Sequence, residues 1–266
     1  MKTFSDIWWV LVLMAIGSYL IGSINFSIMI SKMKGRDIRG VGSGNPGMMN
    51  MSRNFGLKIG VLILFLDMLK GVIPTFVGWV VFRNVTLGES TFILSDLTKY
   101  FCGFFAVLGH IFPIYLKFKG GKGISTTIGV FVVAYPLVGV CSGLCGLAFI
   151  LITSMGSMGS LIAITPPAIA AETLLYNRYI YNSVSGYMKP DSPDVRAALV
   201  IAIVCILGIC LLAWFAHSRN IERLINGEEH ETSWSEMIKK MKKKKRAERL
   251  EKKARAAENN GTGKTE

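Results

Sequence analysis

Long runs of apolar residues occupy most of the first 216 positions of the chain. They cover positions 7–30, 57–82, 100–116, 124–134, 136–152, 160–176 and 197–216. A helix of about 20 apolar residues crosses the roughly 30 Å hydrocarbon core of a bilayer. The sequence therefore predicts an all-α integral membrane protein. It excludes a soluble enzyme, a disordered protein, a disulfide scaffold and an outer-membrane barrel, because barrel strands alternate apolar and polar residues.

The charged residues, which make up 18% of the chain, lie between these runs and in the C-terminal tail. The formal net charge is +13. Since cytoplasmic loops of membrane proteins are rich in Lys and Arg, this excess does not call for a nucleic-acid partner. Basic residues are concentrated at positions 32–58, at 117–122 and after 216, whereas positions 83–99 are nearly balanced. We therefore expect a multi-pass protein of the cell membrane, inner or plasma, with the N-terminus outside and these three basic segments in the cytoplasm.

The number of crossings depends on the apolar residues on either side of Pro136. A chain that leaves a cytoplasmic segment at 117–122 and ends in a cytoplasmic tail crosses the membrane an even number of times in between. Proline ends or kinks a helix at the preceding residue. If Pro136 divides positions 124–152 into two crossings, the total is about seven transmembrane helices. The alternative is five transmembrane helices with a re-entrant segment, since irregular backbone at depth is tolerated next to a polar cavity.

The C-terminal tail differs in composition from the rest of the chain. We expect positions 1–231 to form the membrane domain and 232–266 to form a basic cytoplasmic tail, helical at first and then disordered. Eleven Lys or Arg and two Glu lie at positions 239–255. Each basic side chain near an anionic leaflet contributes about 1 kcal/mol of attraction, so the tail is a candidate clamp on such a leaflet. A solvated basic helix is the alternative.

The first of three polar segments is the glycine-rich string that begins at Gly42. Glycine allows positive φ and a close approach of backbone N–H groups to an anion, and Arg offers a fork of donors that fits phosphate. The candidate binding residues in this segment are Gly42, Ser43, Gly44, Asn45, Asn50 and Arg53. The same string is also typical of a plain loop that joins two spans.

The second polar segment is Lys119-Gly120-Gly121-Lys122-Gly123, directly before an apolar run. Glycines that lead into a helix N-terminus, with its unsatisfied N–H donors, favour phosphate binding. The segment is not a Walker A loop, because Lys122 is followed by Gly123 rather than by Ser or Thr. A basic anchor at a membrane boundary is the alternative interpretation, although such an anchor needs no glycines.

The third polar segment begins at His217 and includes Asn220, three positions later. Residues three apart share a helix face. His titrates near neutral pH, and the amide of Asn both donates and accepts hydrogen bonds. Glu222 lies five positions after His217, away from its helix face, so the His-x4-Asp motif of soluble and peripheral acyltransferases is not recognised here. A structural role for His217 at the membrane boundary is the alternative.

Asp67, Lys70 and His110 lie inside apolar runs. A charge at the centre of a bilayer costs roughly 2.5–3.5 kcal/mol on insertion scales. Asp67 and Lys70, three apart on one helix face, must therefore pair or face a wet cavity. All three are candidate supporting residues of a site. A structural ion pair and a helix-packing histidine are the alternatives.

All three polar segments lie on the predicted cytoplasmic face, so the spans between them can bring them together. At least two of the three are suited to phosphate. The combination indicates an enzyme or a carrier that handles a phosphorylated, membrane-associated substrate.

Several multi-residue strings, in the same order along the chain, resemble the bacterial PlsY family of acyl-phosphate:glycerol-3-phosphate acyltransferases. The family's Lys-Gly-Gly-Lys-Gly motif is intact at 119–123, Gly-His-x-Phe-Pro at 109–113 and Leu-Asp-x-Leu-Lys-Gly at 66–71. Its Gly-Ser-Gly-Asn-Ile-Gly-Ala-Thr-Asn and His-Arg-x-Asn-Ile motifs match 42–50 and 217–221 with substitutions. The resemblance extends over about residues 7–231.

The resemblance implies transfer of a fatty acyl group from acyl-phosphate to the sn-1 hydroxyl of glycerol 3-phosphate, giving lysophosphatidic acid and inorganic phosphate in phospholipid biosynthesis. It implies seven transmembrane helices, an active site that faces the cytoplasm, no cofactor and no metal. An upstream enzyme that produces acyl-phosphate is a candidate partner. The residues implied as catalytic are Ser43, Lys122, His217 and Asn220. Those implied as substrate-binding are Gly42, Gly44, Asn45, Asn50, Arg53, Lys119, Gly120, Gly121, Gly123 and Glu229.

The chain departs from the family pattern at four positions. Pro46, Met48 and Met49 replace residues of the first motif. Ser218 replaces the Arg that follows the histidine of the third motif, and Arg219 is a candidate substitute for it. Altered activity, an altered acyl-chain preference or a poorly active paralogue is the expected consequence. A non-enzymatic membrane carrier for phosphate or an anionic lipid is the alternative function, and an assay of phosphate release distinguishes the two.

Overall fold

The computed structural model describes residues 3–87, 92–181 and 192–227, so Glu229 and the tail at 232–266 lie outside the described residues. Regular structure in these ranges is helical apart from one antiparallel bridge between Thr86 and Ile93. The helices are α1 (Phe4–Ser23), α2 (Phe26–Met33), α3 (Met48–Phe55), α4 (Leu57–Phe82), α5 (Ser95–Ile111), α6 (Ile124–Ala134), α7 (Pro136–Thr153), α8 (Gly156–Leu175), α9 (Pro193–Ala216) and α10 (Ser218–Ile225). Short 3₁₀ turns lie at Ile38–Gly40 and Ile114–Leu116, and a π-helical turn at Tyr176–Tyr181 follows α8.

Six segments of the described chain are long and apolar enough to cross a membrane. They are Phe4–Met33, Leu57–Phe82, Ser95–Leu116, Pro136–Thr153, Gly156–Tyr181 and Pro193–Ala216. A further apolar helix, α6, has 11 residues, so it rises about 16 Å, roughly half of the hydrocarbon core. Large apolar side chains face outward from the bundle; Leu137 on α7 is 73% exposed and Phe215 on α9 is 67% exposed. The expected all-α integral membrane fold is confirmed.

Two breaks in the apolar runs follow from local chemistry. At Asn25 the first run divides into α1 and α2, and the Asn25 side chain caps α2 by accepting a hydrogen bond from the Ile28 N–H (3.0 Å). Pro136 begins α7 two residues after α6 ends at Ala134. Proline suits the first turn of a helix because the missing N–H would have no intrahelical partner there. The predicted division of the chain at Pro136 is present in the structure.

Polar contacts join helices at the far end of the bundle, the end opposite the polar segments. The N–H of Phe4 donates to Asp194 Oδ2 (3.2 Å), and Tyr179 OH donates to Asp96 Oδ2 (2.6 Å). These bonds bring together the starts of α1, α5 and α9 and the turn that follows α8. The other ends of the same helices, with α3, α10 and the start of α6, form the end of the molecule that carries the polar segments.

The central helix is α5, which packs against α1, α4, α6 and α9. Helix α6, which also contacts α5, is held close to α4 by two glycines. A Cβ at Gly71 would meet the Thr126 carbonyl oxygen, and a Cβ at Gly129 would meet the Met68 carbonyl oxygen. Without these side chains the two backbones approach closely, as small residues allow in membrane helices. The first turn of α6, directly after the second polar segment, therefore lies against α4.

Candidate active site

Two apolar clusters hold the three polar segments together at one end of the bundle. In the first cluster, buried Ile38 and Met51 flank the first segment, and Leu116 from the turn before the second segment packs against them. In the second cluster, Ile124 follows the second segment and Ile221 lies in the third, and both pack against buried residues of α8 and α9. The sequence places these apolar residues next to its polar motifs, and their burial brings the motifs to one site.

Asn50, in the first turn of α3, organises the first segment. Its buried Oδ1 accepts hydrogen bonds from the Ser43 N–H (3.2 Å) and from Asn54 Nδ2 (2.9 Å). Its Nδ2 donates to the Val41 carbonyl (2.9 Å). These bonds fold the loop back onto α3, so the amide of Asn50 is engaged in holding the loop.

The first segment needs glycine at two positions. Gly42 and Gly44 have φ angles of 60° and 70°, in the left-handed region that L side chains avoid. A Cβ at Gly42 would also contact the side-chain amide of Asn50. The resulting loop leaves Ser43 exposed, and Arg53 is exposed on the following helix. The hydroxyl and the guanidinium expected to bind substrate are therefore accessible.

The three substituted residues of the first motif, and Asn45 beside them, are buried or half-buried. Pro46 is buried, whereas Asn45, Met48 and Met49 are half-buried at the start of α3. Because proline has no N–H, the backbone at Pro46 supplies no donor to a bound anion.

The second segment lies across the C-terminal end of α5. The Gly120 N–H donates to the Ile111 carbonyl and the Gly121 N–H to the His110 carbonyl, both over 3.1 Å. Gly123 has a φ of 81° and caps α6, accepting a bond from the Thr127 N–H (2.8 Å). The half-buried Lys122 is thus held between two fixed turns, at a helix N-terminus that favours anions. Lys119 is exposed at the edge of this segment.

His217, in the third segment, is buried between the end of α9 and α10. Its Nδ1 lies 2.8 Å from the Ala213 carbonyl. Burial and then the nearby Lys122 ammonium lower the pKa of His217 to about 4, against a smaller opposing effect of the Ala213 bond. The ring is therefore neutral at pH 7, and since a carbonyl only accepts, the proton lies on Nδ1. Nε2 then carries a lone pair that can accept a hydrogen bond.

Asn220 is joined to a residue that the sequence motifs did not indicate. Its Nδ2 donates to Ser157 Oγ (2.6 Å) in the first turn of α8, and its Oδ1 accepts from Arg223 Nη2 (3.0 Å). Arg219, the residue expected to replace the missing motif arginine, has an exposed side chain, and its carbonyl accepts from Arg223 Nε (3.2 Å). The guanidinium beside Asn220 is therefore that of Arg223.

The ionisable residues inside the spans form one buried group beneath the second segment. Lys70 Nζ lies 2.7 Å from Asp67 Oδ1, so the predicted pairing of these charges is present. The same Nζ lies 3.0 Å from His110 Nδ1. Of the two predicted alternatives for this pair, the ion pair is the one that the structure shows.

Basic side chains are concentrated at the end of the bundle that carries the three segments. Those described there are Lys32, Lys34, Arg36, Arg39, Arg53, Lys58, Lys117, Lys119, Lys122, Arg219 and Arg223. A nearby carboxylate, Asp37, is neutralised by Arg39 (2.6 Å), which holds its pKa at about 2. A positive field of this kind suits phosphate. The fold and this end of the bundle together define a multi-pass membrane protein with a cationic end that is suited to phosphorylated substrates.

Comparison with known proteins identifies the family. Residues 12–227 match the family described as glycerol-3-phosphate acyltransferase. A glycerol-3-phosphate acyltransferase of Aquifex aeolicus is 34% identical over 217 residues, which cover 82% of this chain and 96% of that protein. Another, of Thermotoga petrophila, is 36% identical over 228 residues, 85% of this chain and 97% of that protein. The chain belongs to the glycerol-3-phosphate acyltransferase family.

Two solved structures agree with this assignment. The crystal structure of PlsY, an integral membrane glycerol 3-phosphate acyltransferase, in its glycerol 3-phosphate form matches with a TM-score of 0.66 and 34% identity. Its lysophosphatidic acid form matches with a TM-score of 0.65 and 33% identity, and both matches cover 86% of this chain and 98% of PlsY. The resemblance to the PlsY family inferred from the motifs is confirmed, as is the expectation of a membrane acyltransferase.

Proposed function

We propose that this protein transfers a fatty acyl group from an acyl-phosphate to the sn-1 hydroxyl of glycerol 3-phosphate. The hydroxyl oxygen attacks the acyl carbonyl carbon, the bond from that carbon to the phosphate oxygen breaks, and the hydroxyl proton passes to a phosphate. The products are lysophosphatidic acid and inorganic phosphate. The observation that carries the proposal is Lys122, held at a helix N-terminus by a glycine turn and close enough to buried His217 to lower its pKa.

The residues present fit a reaction between two phosphorylated substrates. An acyl-phosphate is already activated, so the site needs no protein nucleophile. It needs cations to hold two phosphates and to stabilise charge on the leaving phosphate, which is usually the largest catalytic contribution. Lys122 and Arg53 supply these charges together with Lys119. Gly120 and Gly121, whose N–H groups donate to the Ile111 and His110 carbonyls, shape the turn that presents Lys122 to phosphate, and Gly123 caps α6.

His217 orients the attacking hydroxyl rather than removing its proton. Nε2 of the neutral ring accepts a hydrogen bond from the glycerol hydroxyl. This bond points a lone pair of the hydroxyl oxygen at the acyl carbonyl carbon. With a pKa of about 4, the ring is a weak base at neutral pH. A substrate phosphate, whose second pKa is about 6, takes the proton more readily.

The other polar residues divide between the two substrates. Ser43 and Asn45, with the backbone of Gly42 and Gly44, position the acyl-phosphate head, and Asn50 holds that loop in place. Asn220, supported by Ser157 and Arg223, orients glycerol 3-phosphate. Glu229 is included as a substrate-binding residue on the strength of the motif resemblance.

The active site faces the cytoplasm in this proposal. The concentration of Lys and Arg at the site end of the described chain supports this orientation, which leaves the N-terminus outside. The short α6 and the antiparallel α7 count as two crossings, so the total is seven. The protein then lies in the plasma or inner membrane, with positions 232–266 as a cytoplasmic tail against the anionic leaflet.

The donor also implies a partner reaction. An acyl-phosphate is a reactive mixed anhydride, so an upstream enzyme that forms it supplies this protein with substrate.

Phosphate release tests the proposed reaction. The purified protein in lipid is given palmitoyl-phosphate with and without glycerol 3-phosphate, beside Lys122→Ala and the control Lys58→Ala, which removes an exposed charge from the first turn of α4. We expect release that depends on glycerol 3-phosphate, falls roughly 10²–10³-fold in Lys122→Ala, and is nearly unchanged in Lys58→Ala.

The carrier alternative gives a different result in the same preparation. If folded protein releases no phosphate but takes labelled phosphate into vesicles, the enzyme proposal is overturned and the carrier replaces it. Equal loss in Lys122→Ala and Lys58→Ala would contradict the assigned role of the second segment.

A further inference from the structure

We propose that Lys70 and His110 are positioning residues that fix the glycine turn at 119–123, and through it the place of Lys122. The inference deepens the proposed function and rests on it for its kinetic consequences. Neither residue reaches the reacting atoms; they act through the backbone on either side of Lys122.

The Lys70 amine has three polar partners. Its Nζ is buried and lies 2.7 Å from Asp67 Oδ1, 2.8 Å from the Ile24 carbonyl and 3.0 Å from His110 Nδ1. Two of these partners are an anion and a carbonyl, which only accept, so the amine donates to both. An ammonium has three donors and no acceptor. The third donor therefore goes to His110 Nδ1.

The bond from Lys70 fixes the tautomer of His110. Because Nδ1 accepts from Lys70, the ring is neutral and its proton lies on Nε2. The hydroxyl of Thr126 lies 3.1 Å from the same Nδ1, but it is 2.9 Å from the Asp67 carbonyl, to which it donates its single proton. Lys70 thus determines which edge of the His110 ring carries an N–H.

The Nε2 edge of His110 faces the glycine turn at 119–123. A Cβ at Gly121 would contact His110 Nε2, so the N–H edge of the ring lies directly beneath this residue. The Gly121 N–H also donates to the His110 carbonyl (3.1 Å). Residue 121 therefore bonds to the backbone of His110 and packs against its ring.

The residue on the other side of Lys122 is held by the same group. Thr126, in the first turn of α6, is bonded to the Asp67 carbonyl (2.9 Å), and a Cβ at Gly71 would meet the Thr126 carbonyl oxygen. Positions 121 and 126 flank Lys122, and both are anchored to the Asp67–Lys70–His110 group. The paired charges of Asp67 and Lys70 cancel, so the group acts on Lys122 by geometry and not by attraction.

The test compares three variants. His110→Phe keeps the ring volume and removes both nitrogens. His110→Gln restores a donor at the position of Nε2. Tyr179→Phe is the matched control, because it breaks a buried bond to Asp96 (2.6 Å) at the far end of the bundle. KM for each substrate, kcat and thermal stability are measured for all three beside Lys122→Ala.

We expect His110→Phe to raise the KM of the same phosphorylated substrate that Lys122→Ala affects and to lower kcat as well, because Lys122 both holds phosphate and stabilises the leaving group. The combined loss in kcat/KM should be roughly tenfold. His110→Gln should recover most of this loss. Tyr179→Phe should lower thermal stability while leaving both KM values unchanged. Wild-type KM values in a destabilised His110→Phe, or a His110→Gln as impaired as the Phe variant, would overturn the proposal.

A second readout does not depend on activity. Trypsin cleaves after Lys119 and Lys122, and a turn released from His110 should be cut faster at both sites in His110→Phe, while cleavage after Lys58 stays unchanged. If the wild-type protein released no phosphate, the proposed function would fail, yet this comparison would still decide the positioning role. Equal cleavage rates in wild type and His110→Phe would overturn it.

Discussion

Asn220 Nδ2 donates a hydrogen bond to Ser157 Oγ over 2.6 Å, and this bond joins the first turn of α10 to the first turn of α8. Asn220 belongs to a recognisable motif, whereas Ser157 lies at the boundary of an apolar run. The pair shows how the third polar segment is fixed relative to the rest of the bundle. Since Ser157 is buried, its hydroxyl is the acceptor that sets the rotamer of the Asn220 amide.

Ser157→Ala should lower kcat/KM for glycerol 3-phosphate by about tenfold, the equivalent of one hydrogen bond. The reason is that the Asn220 amide loses the acceptor that orients it. Steady-state kinetics measure the effect. Ser160→Ala is the control, because the Ser160 hydroxyl bonds to the Gly156 carbonyl of its own helix (2.7 Å). Similar kinetics for the two variants would contradict the role of Ser157.

Asn50→Ala should destabilise the protein by about 1–3 kcal/mol, because it leaves the Ser43 N–H and the Val41 carbonyl without their side-chain partner. Activity should fall with the loss of the loop. Asn50→Asp keeps the acceptor for Ser43, so it should retain more activity than Asn50→Ala. Thermal unfolding and phosphate release measure both effects, and full stability in Asn50→Ala would show that the loop is held by other contacts.

Gly121→Ala should abolish activity, because the added methyl group would contact the buried His110 ring. The turn that carries Lys122 would have to move. Gly40→Ala serves as the comparison, since a Cβ there meets nothing within 4 Å and should leave the rate within about twofold, the range of neutral surface substitutions. A rate for Gly121→Ala close to that of Gly40→Ala would be inconsistent with the observed packing.

The protonation of His217 predicts a pH dependence of stability. Its pKa falls from an ordinary 6.5 to about 4 in the folded protein, so between these values the unfolded chain binds a proton that the folded chain does not. Its contribution to stability is therefore complete above pH 6.5 and decreases as the pH falls from 6.5 to 4. Thermal unfolding of wild type and His217→Gln should show a smaller acid-side loss in the variant. Identical pH profiles would indicate that His217 is not a buried neutral ring.

The sequence predicted the parts of the site that depend on local chemistry. Glycines at positive φ, such as Gly42, and a lysine before a helix N-terminus are recognisable because a few adjacent residues define their geometry. The helix boundary at Pro136 is equally local. For Asn50 the motif indicated substrate binding, but its bonds in the structure lie within the loop, and a motif does not separate these two roles.

Other parts of the site depend on helix packing, which no local pattern encodes. Ser157 reaches Asn220 only because α8 and α9 pack side by side. Arg223, rather than Arg219, lies beside Asn220 because one residue along a helix turns the side chain by about 100°. The sequence favoured a packing role for His110 over a site role. Its position beneath Gly121 results from the crossing of α5 with the second segment.

Acyl transfer to glycerol 3-phosphate is tested most directly when both products of one reaction are quantified. The protein in lipid vesicles is given palmitoyl-phosphate and isotope-labelled glycerol 3-phosphate, and lysophosphatidic acid is measured by mass spectrometry beside inorganic phosphate. Acyl transfer should give equal amounts of the two products, and both should fall roughly 10²–10³-fold in Lys122→Ala. Release of phosphate and free palmitate without labelled lysophosphatidic acid would show hydrolysis instead of transfer. That result would overturn the proposed acyltransferase reaction.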